Sequence, residues 1–145
     1  MPLNLMDIPT ASGGWFKPRE VADAVAILVE VHQWDRQRPT PNGPKDSALC
    51  DVSVFKTPEH LDRLAPEVSK GMRIEQTVLA RDLENAVGSG ILATVVHVPS
   101  SKPGGNPFWV WKQINDPAIR QQVMTYAAQR DAAVEAAVAD APDFD

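Results

Sequence analysis

The sequence predicts a mainly β domain with some α, and three observations carry that prediction. Apolar and polar residues alternate at period two over several separate stretches, Pro- and Gly-rich segments interrupt them, and the period turns helical after Asp116. The 145 residues suffice for one domain with a buried core, and 43% hydrophobic with 23% charged residues is the ordinary globular range.

Residues 1–19, with Pro2, Pro9, Gly13, Gly14 and Pro18, have little periodicity and read as an irregular N-terminal arm. Val21 to Trp34 is a long first strand. Within it Val25, Ile27, Val29 and Val31 face one way and Leu28, Glu30, His32 and Trp34 the other. Asp35 to Asp46 is a polar connection of 12 residues that holds three prolines, Asn42-Gly43 and three basic side chains. Ser47 to Lys56 alternates again, which turns Cys50, Val52 and Val54 to the core and Leu49, Asp51, Ser53 and Phe55 outward.

Thr57 as a cap and Pro58 at the first helical position predict a short turn that Pro66 stops. A third strand is expected over Met72 to Ala80. One or two helical turns follow over Arg81 to Val87, ended by Gly88 and Gly90. Ile91 to Val98 is a fourth strand, and a Pro/Gly loop around Lys102 leads to a fifth over Phe108 to Ile114. Asp116 as N-cap and Pro117 start an Ala-rich helix to Asp140, with Ile119, Val123, Met124 and Ala127 as its apolar stripe and the part beyond Arg130 projecting.

A short helix between strands three and four is the chain order of the five-stranded OB-fold, a Greek-key barrel whose loops after strands one and four flank a ligand face. The expected organisation is an arm over 1–19, the barrel over 20–115, a C-terminal helix over 116–140 and an acidic disordered tip over 141–145.

The net charge of -5 argues against a polyanion partner as a sum, but not by position. All 14 basic and 14 of the 19 acidic residues lie in 1–130, whereas 131–145 holds five acidic residues and no basic one. A neutral body with basic loops can still carry a polyanion site. No apolar run approaches the roughly 18 residues of a membrane span, and the first residues carry no secretory pattern, so a cytoplasmic setting is expected. A single cysteine excludes an intramolecular disulfide.

Enzyme motifs are absent: there is no Walker-type loop, no G-x-S-x-G elbow and no H-E-x-x-H. Cys50 reads as a buried inert thiol, and His32, His60 and His97 lack ligand spacing, so no catalytic residue, metal or cofactor is expected. Asp82 with Glu84, and Glu59 with Asp62, read as solvated helix faces.

What remains is an aromatic and basic set: Trp34, Arg36, Arg38 and Lys45 around the first loop, Phe55 and Lys56 at the end of strand two, Lys102 in the second loop, and Trp109, Trp111 and Lys112 on strand five. Single-stranded nucleic acid is bound by such a set, because each base offers a face for stacking and each phosphate a charge. A base stacked on an aromatic contributes about 1–3 kcal/mol, against about 0–1 kcal/mol for an exposed ion pair. Aromatics on strands also form cores. Trp109 and Trp111 share one face and Phe108 and Val110 the other, so one pair alone can face a ligand. Trp15, Lys17 and Arg19 read first as a solvated arm and second as an extension of the groove.

Gly90-Ile91-Leu92-Ala93, followed by Lys102-Pro103-Gly104-Gly105-Asn106-Pro107-Phe108-Trp109-Val110, resembles a segment of the single-stranded DNA-binding-like proteins of bacteriophages that infect actinobacteria. Phe16, Pro18 and Glu20, then Glu30-Val31-His32, Thr40 with Gly43, and Asp46 to Asp51 agree with it, over about Phe16 to Tyr126. Phe108 stands where that family has a second proline, and Thr94 to His97 lacks an arginine often found there. The resemblance implies an OB-fold that binds single-stranded DNA in phage replication or recombination, in the cytoplasm of an infected bacterial host.

The C-terminal residues Asp140, Asp143, Phe144 and Asp145 are similar to the acidic tips by which bacterial single-strand binders recruit replication proteins, although those end on the aromatic residue. The alternative is a protein-interaction module on the same barrel, a phage factor that engages a host protein through the C-terminal helix or the acidic tail. A homo-oligomer is compatible with either.

Overall fold

The computed structural model describes residues 14–139 apart from Asn42 and Ser101, and for 137–139 the backbone alone. Five strands form one antiparallel sheet: β1 (Ala26–Arg38), β2 (Lys45–Phe55), β3 (Glu67–Ile74), β4 (Gly90–Val98) and β5 (Phe108–Gln113), in the order β3-β2-β1-β4-β5. Short helices α1 (Pro58–Asp62) and α2 (Thr77–Arg81) and a long helix α3 (Pro117–Ala139) complete the fold, with 3-10 turns at Pro18–Val21 and Glu84–Ala86.

Both faces of the sheet are buried in part. One face holds Ile27, Val29 and Val31 of β1 against Cys50, Val52 and Val54 of β2, with Ile74, Leu79, Leu83 and Val95 around them. The other face is covered by α3, where Ala26, Phe55, Leu61 and Val123 pack together with Leu28, Ile119 and Tyr126. This second core corrects the expected alternation in β2. Phe55 and Ser53 do point away from the valines, yet both are buried, because the helix seals that side. Met124, expected on the helix's apolar stripe, is 66% exposed; Tyr126 packs on Phe55 instead, edge-on at 5.5 Å. Arg130, on the same helix, donates to both carboxylate oxygens of Glu30 on the sheet.

β1 is bent by irregularities that reset its pleat. Val31 pairs with Cys50 and Gln33 with Leu49, so His32 is an extra residue, and the side chains from Gln33 to Asp35 change face. A second irregularity lies between Asp35 and Arg38, with Gln37 at φ 50, and the strand continues to pair Arg38 with Lys45. The connection is therefore shorter than expected, and Arg36, Arg38 and Lys45 stand on strand ends. A third bulge opposes Asp51 to Lys70 and Gly71; Gly71 takes φ 68, and its N–H donates to Asp51 Oδ1 at 3.1 Å.

β3 was expected over Met72–Ala80 and a helix over Arg81–Val87. The strand ends at Ile74 and α2 begins at Thr77. Leu79, Ala80 and Leu83 are fully buried, and at spacings of one and four residues they serve one face of a helical stretch rather than alternating faces of a strand. Thr57 caps α1 by accepting from the His60 N–H at 3.2 Å, and Asp116 caps α3 by accepting from the Ala118 N–H at 2.9 Å.

The arm is part of the fold from Gly14 onward. The Arg73 N–H donates to Gly14 O at 3.0 Å and the Phe16 N–H to Arg73 O at 2.9 Å, so the arm pairs with β3. Phe16 is 3% exposed and packs 5.7 Å from Trp111 of β5. It thus joins the two outer strands of the sheet, which share no ladder of their own.

Candidate nucleic-acid interface

The expected aromatic platform is largely internal. The bulge at His32 turns Trp34 onto the face of Val31, corrects its expected outward position, and sets it opposite buried Ala48. Its Nε1–H donates to Ala80 O at 2.8 Å, and the Trp111 Nε1–H donates to Leu79 O at 3.0 Å. Two indoles thereby hold the last turn of α2, where helix carbonyls lack intrahelical donors. Phe55 is 0% exposed, which removes it from any surface that could stack a base. Trp109 is half-buried and lies on exposed His97, with ring centroids 4.5 Å apart and planes 18° from parallel. On the opposite face of β4 and β5, Phe108 is 39% exposed.

The cations divide similarly. Arg36 pairs with Glu84 at 2.9 Å while lying 5.5 Å over the Trp34 ring, Arg38 pairs with Glu75 at 3.3 Å, and Lys56 with Glu67 at 3.1 Å. Lys45, Lys102 and Lys112 are exposed and have no ion-pair partner among the described residues. They are not gathered at one place. Lys45 lies at the end of the β1–β2 hairpin, whereas β4 runs from Gly90, opposite Glu30, away from that end, so Lys102 lies beyond the opposite end.

One exposed aromatic shares an open cavity with a cation that has no ion-pair partner among the described residues. Trp15, 51% exposed, bridges to Arg73 of β3, and it lines a cavity of about 340 Å³ with Thr40, Pro41, Lys45 and Glu75. Trp15 is held by two flanking backbone bonds to Arg73, and the Gln76 side-chain Nε2–H donates to Phe16 O at 2.9 Å. Thr40 Oγ1 donates to Gly43 O at 2.5 Å across the hairpin turn. Sequence reasoning placed Trp15 in a solvated arm and did not single out Glu75. A tryptophan in a polar segment without apolar period was the available signal for the first; nothing local marks the second.

Beside this cavity the surface of β1 to β3 is a polar network. Hydrogen bonds from Gln33 and then Arg73, the latter at 2.9 Å, hold the Asp35 carboxyl below its ordinary value. Burial pushes Asp51 upward, but hydrogen bonds from His32 at 2.8 Å and from the Gly71 N–H outweigh it, and the net shift is down. On the inner face, burial and the charge of Asp51 push the Cys50 thiol up to about 12, which keeps it protonated and unreactive.

Among the described residues no three His, Cys, Asp or Glu side chains are grouped to hold a metal ion, and no helix is long and apolar enough to cross a membrane. Asp140, Asp143, Phe144 and Asp145 lie outside the described residues. The chain matches no protein-family model, no curated protein and no solved structure.

Proposed function

We propose that this chain is a non-catalytic single-stranded DNA-binding protein on an OB-type barrel, of the phage replication or recombination kind, acting in the cytoplasm of an infected bacterial cell. The strand order β3-β2-β1-β4-β5, with α2 between β3 and β4, supports the barrel reading, since it is the neighbour order of an OB-fold whose outer strands are brought together by Phe16. The observation that carries the binding reading is half-exposed Trp15 sharing one cavity with Lys45, which has no ion-pair partner among the described residues. This is a stacking surface beside a phosphate-holding charge.

A salt titration with a fluorescent oligonucleotide tests it. Affinity should fall with salt, by a logarithmic slope of about 0.7 per neutralised phosphate. Trp15→Ala should weaken binding about 5- to 160-fold, the loss of one stacked base at about 1–3 kcal/mol, without unfolding the protein. No binding at low salt, or binding without a salt slope, refutes the proposal.

A second reading draws on α3. Met124 and Val134 are 66% and 58% exposed, and a groove of about 450 Å³ with an apolar floor of Leu28, Ile91 and Leu92 runs between the helix and β1 and β4. If the chain is instead a protein-interaction module, deletion of residues 131–145 abolishes partner capture and the intact protein has no affinity for DNA.

A further inference from the structure

The cavity that holds Trp15 and Lys45 has a third chemical wall, Glu75. We infer that this cavity is a single-base pocket selective for guanine, with Glu75 reading the Watson–Crick edge. The inference rests on the single-stranded DNA reading above and adds to it the identity of the preferred base.

Three observations converge. The Glu75 side chain is 12% exposed and accepts one hydrogen bond, from Arg38 Nη1 at 3.3 Å on Oε2. An ionised carboxylate accepts and never donates, and it has about four lone-pair sites, of which the arginine occupies one. Trp15 is set against the strand that leads to Glu75 by backbone bonds to Arg73 on both of its sides, and the Gln76 side-chain amide adds a bond to Phe16 O. The volume of about 340 Å³ falls in the range of small-ligand sites, roughly 300–1,000 Å³.

An acceptor-only wall sorts the four bases by their exposed edges. Guanine presents two adjacent donors, N1–H and the N2 amine, which match the two oxygens of a carboxylate in a charge-assisted pair. Cytosine and adenine offer an amine next to a bare ring nitrogen, whose lone pair opposes the second oxygen. Thymine offers N3–H between two carbonyls, so two acceptors face the carboxylate. With the base stacked on Trp15, Lys45 stands at the same cavity to hold a phosphate.

The test uses the full chain and fluorescent dT 12-mers carrying one central G, inosine, C or no substitution. Inosine lacks the N2 amine and keeps N1–H. The G-bearing strand should bind about tenfold tighter than dT alone, about 1.4 kcal/mol; inosine should lose most of that gain, and Glu75→Gln should abolish the difference between the G-bearing and inosine-bearing strands. Equal affinities for G, inosine and T in the unsubstituted protein overturn the guanine inference and leave the DNA-binding reading intact. Absence of binding to every strand overturns both. A preference for G that survives in both inosine and Glu75→Gln removes Glu75 as the reader. Because the inosine comparison needs no substitution in the protein, a folding defect in Glu75→Gln does not remove the test.

Discussion

Replacing Trp34 and Trp111 by Phe distinguishes indoles that anchor a helix from indoles that stack a base. Each substitution keeps one aromatic ring, deletes one N–H donor and removes part of an indole packed against the core, so the hydrogen-bond costs that follow are lower bounds. In W34F the acceptor Ala80 O keeps the Leu83 N–H at 3.1 Å, so the expected cost is that of a typical hydrogen bond, about 0.5–1.5 kcal/mol. In W111F the acceptor belongs to Leu79, which is 0% exposed, and the cost rises to that of an unpaired buried carbonyl, about 1–3 kcal/mol. Because both indoles hold the five residues of α2, the double variant should depart from additivity. Urea unfolding followed by circular dichroism reads this as a lower midpoint at constant slope, larger for W111F than for W34F. Oligonucleotide affinity, measured without denaturant, should change less than twofold in both. A W34F variant as stable as the parent that binds tenfold more weakly would falsify the anchoring role and return Trp34 to the ligand face.

Three further outcomes follow from the geometry. Phe55→Ala should destabilise the fold by about 3–5 kcal/mol, as for other fully buried aromatics, and leave the affinity of the folded fraction unchanged; an unchanged urea midpoint contradicts the core beneath α3. Asp35 and Asp51 both have folded pKa values depressed below 3.8, so each adds stability that is fully present above its unfolded value and is lost as pH falls through the folded one. The parent should therefore lose more stability between pH 5 and about pH 2 than the Asp35→Asn, Asp51→Asn double variant, and equal losses by urea titration would show that these carboxylates are not responsible. Cys50, fully buried with its pKa pushed up to about 12, should react with an alkylating reagent at pH 8 only as fast as the protein opens; labelling that is independent of added urea contradicts its burial.

Period-two alternation and turn chemistry are local properties, and they located the hairpin of β1 and β2, the strands β4 and β5, and the caps Thr57 and Asp116. Locating β3 failed because Val78, Leu79 and Ala80 are apolar residues in a short run, for which strand and helix cannot be told apart by pattern. In the candidate site, Lys45 was found from its place in a basic connection. Trp15 and Glu75 are 60 positions apart in the chain, and only the pairing of the arm with Arg73 puts them in one cavity.

By itself, then, the sequence determined a five-stranded β domain with a helix after it, a neutral body and an acidic end, because those follow from period, propensity and charge along the chain. Which aromatics are core and which reach solvent was decided by the tertiary structure. A single extra residue at His32 reverses the facing of Trp34, and the docking of α3 buries Phe55 on the side that alternation calls exposed. Both effects depend on a partner strand or helix distant in the chain. A side chain's face is set by register and its exposure by what packs over that face, and neither is encoded in its neighbours in sequence.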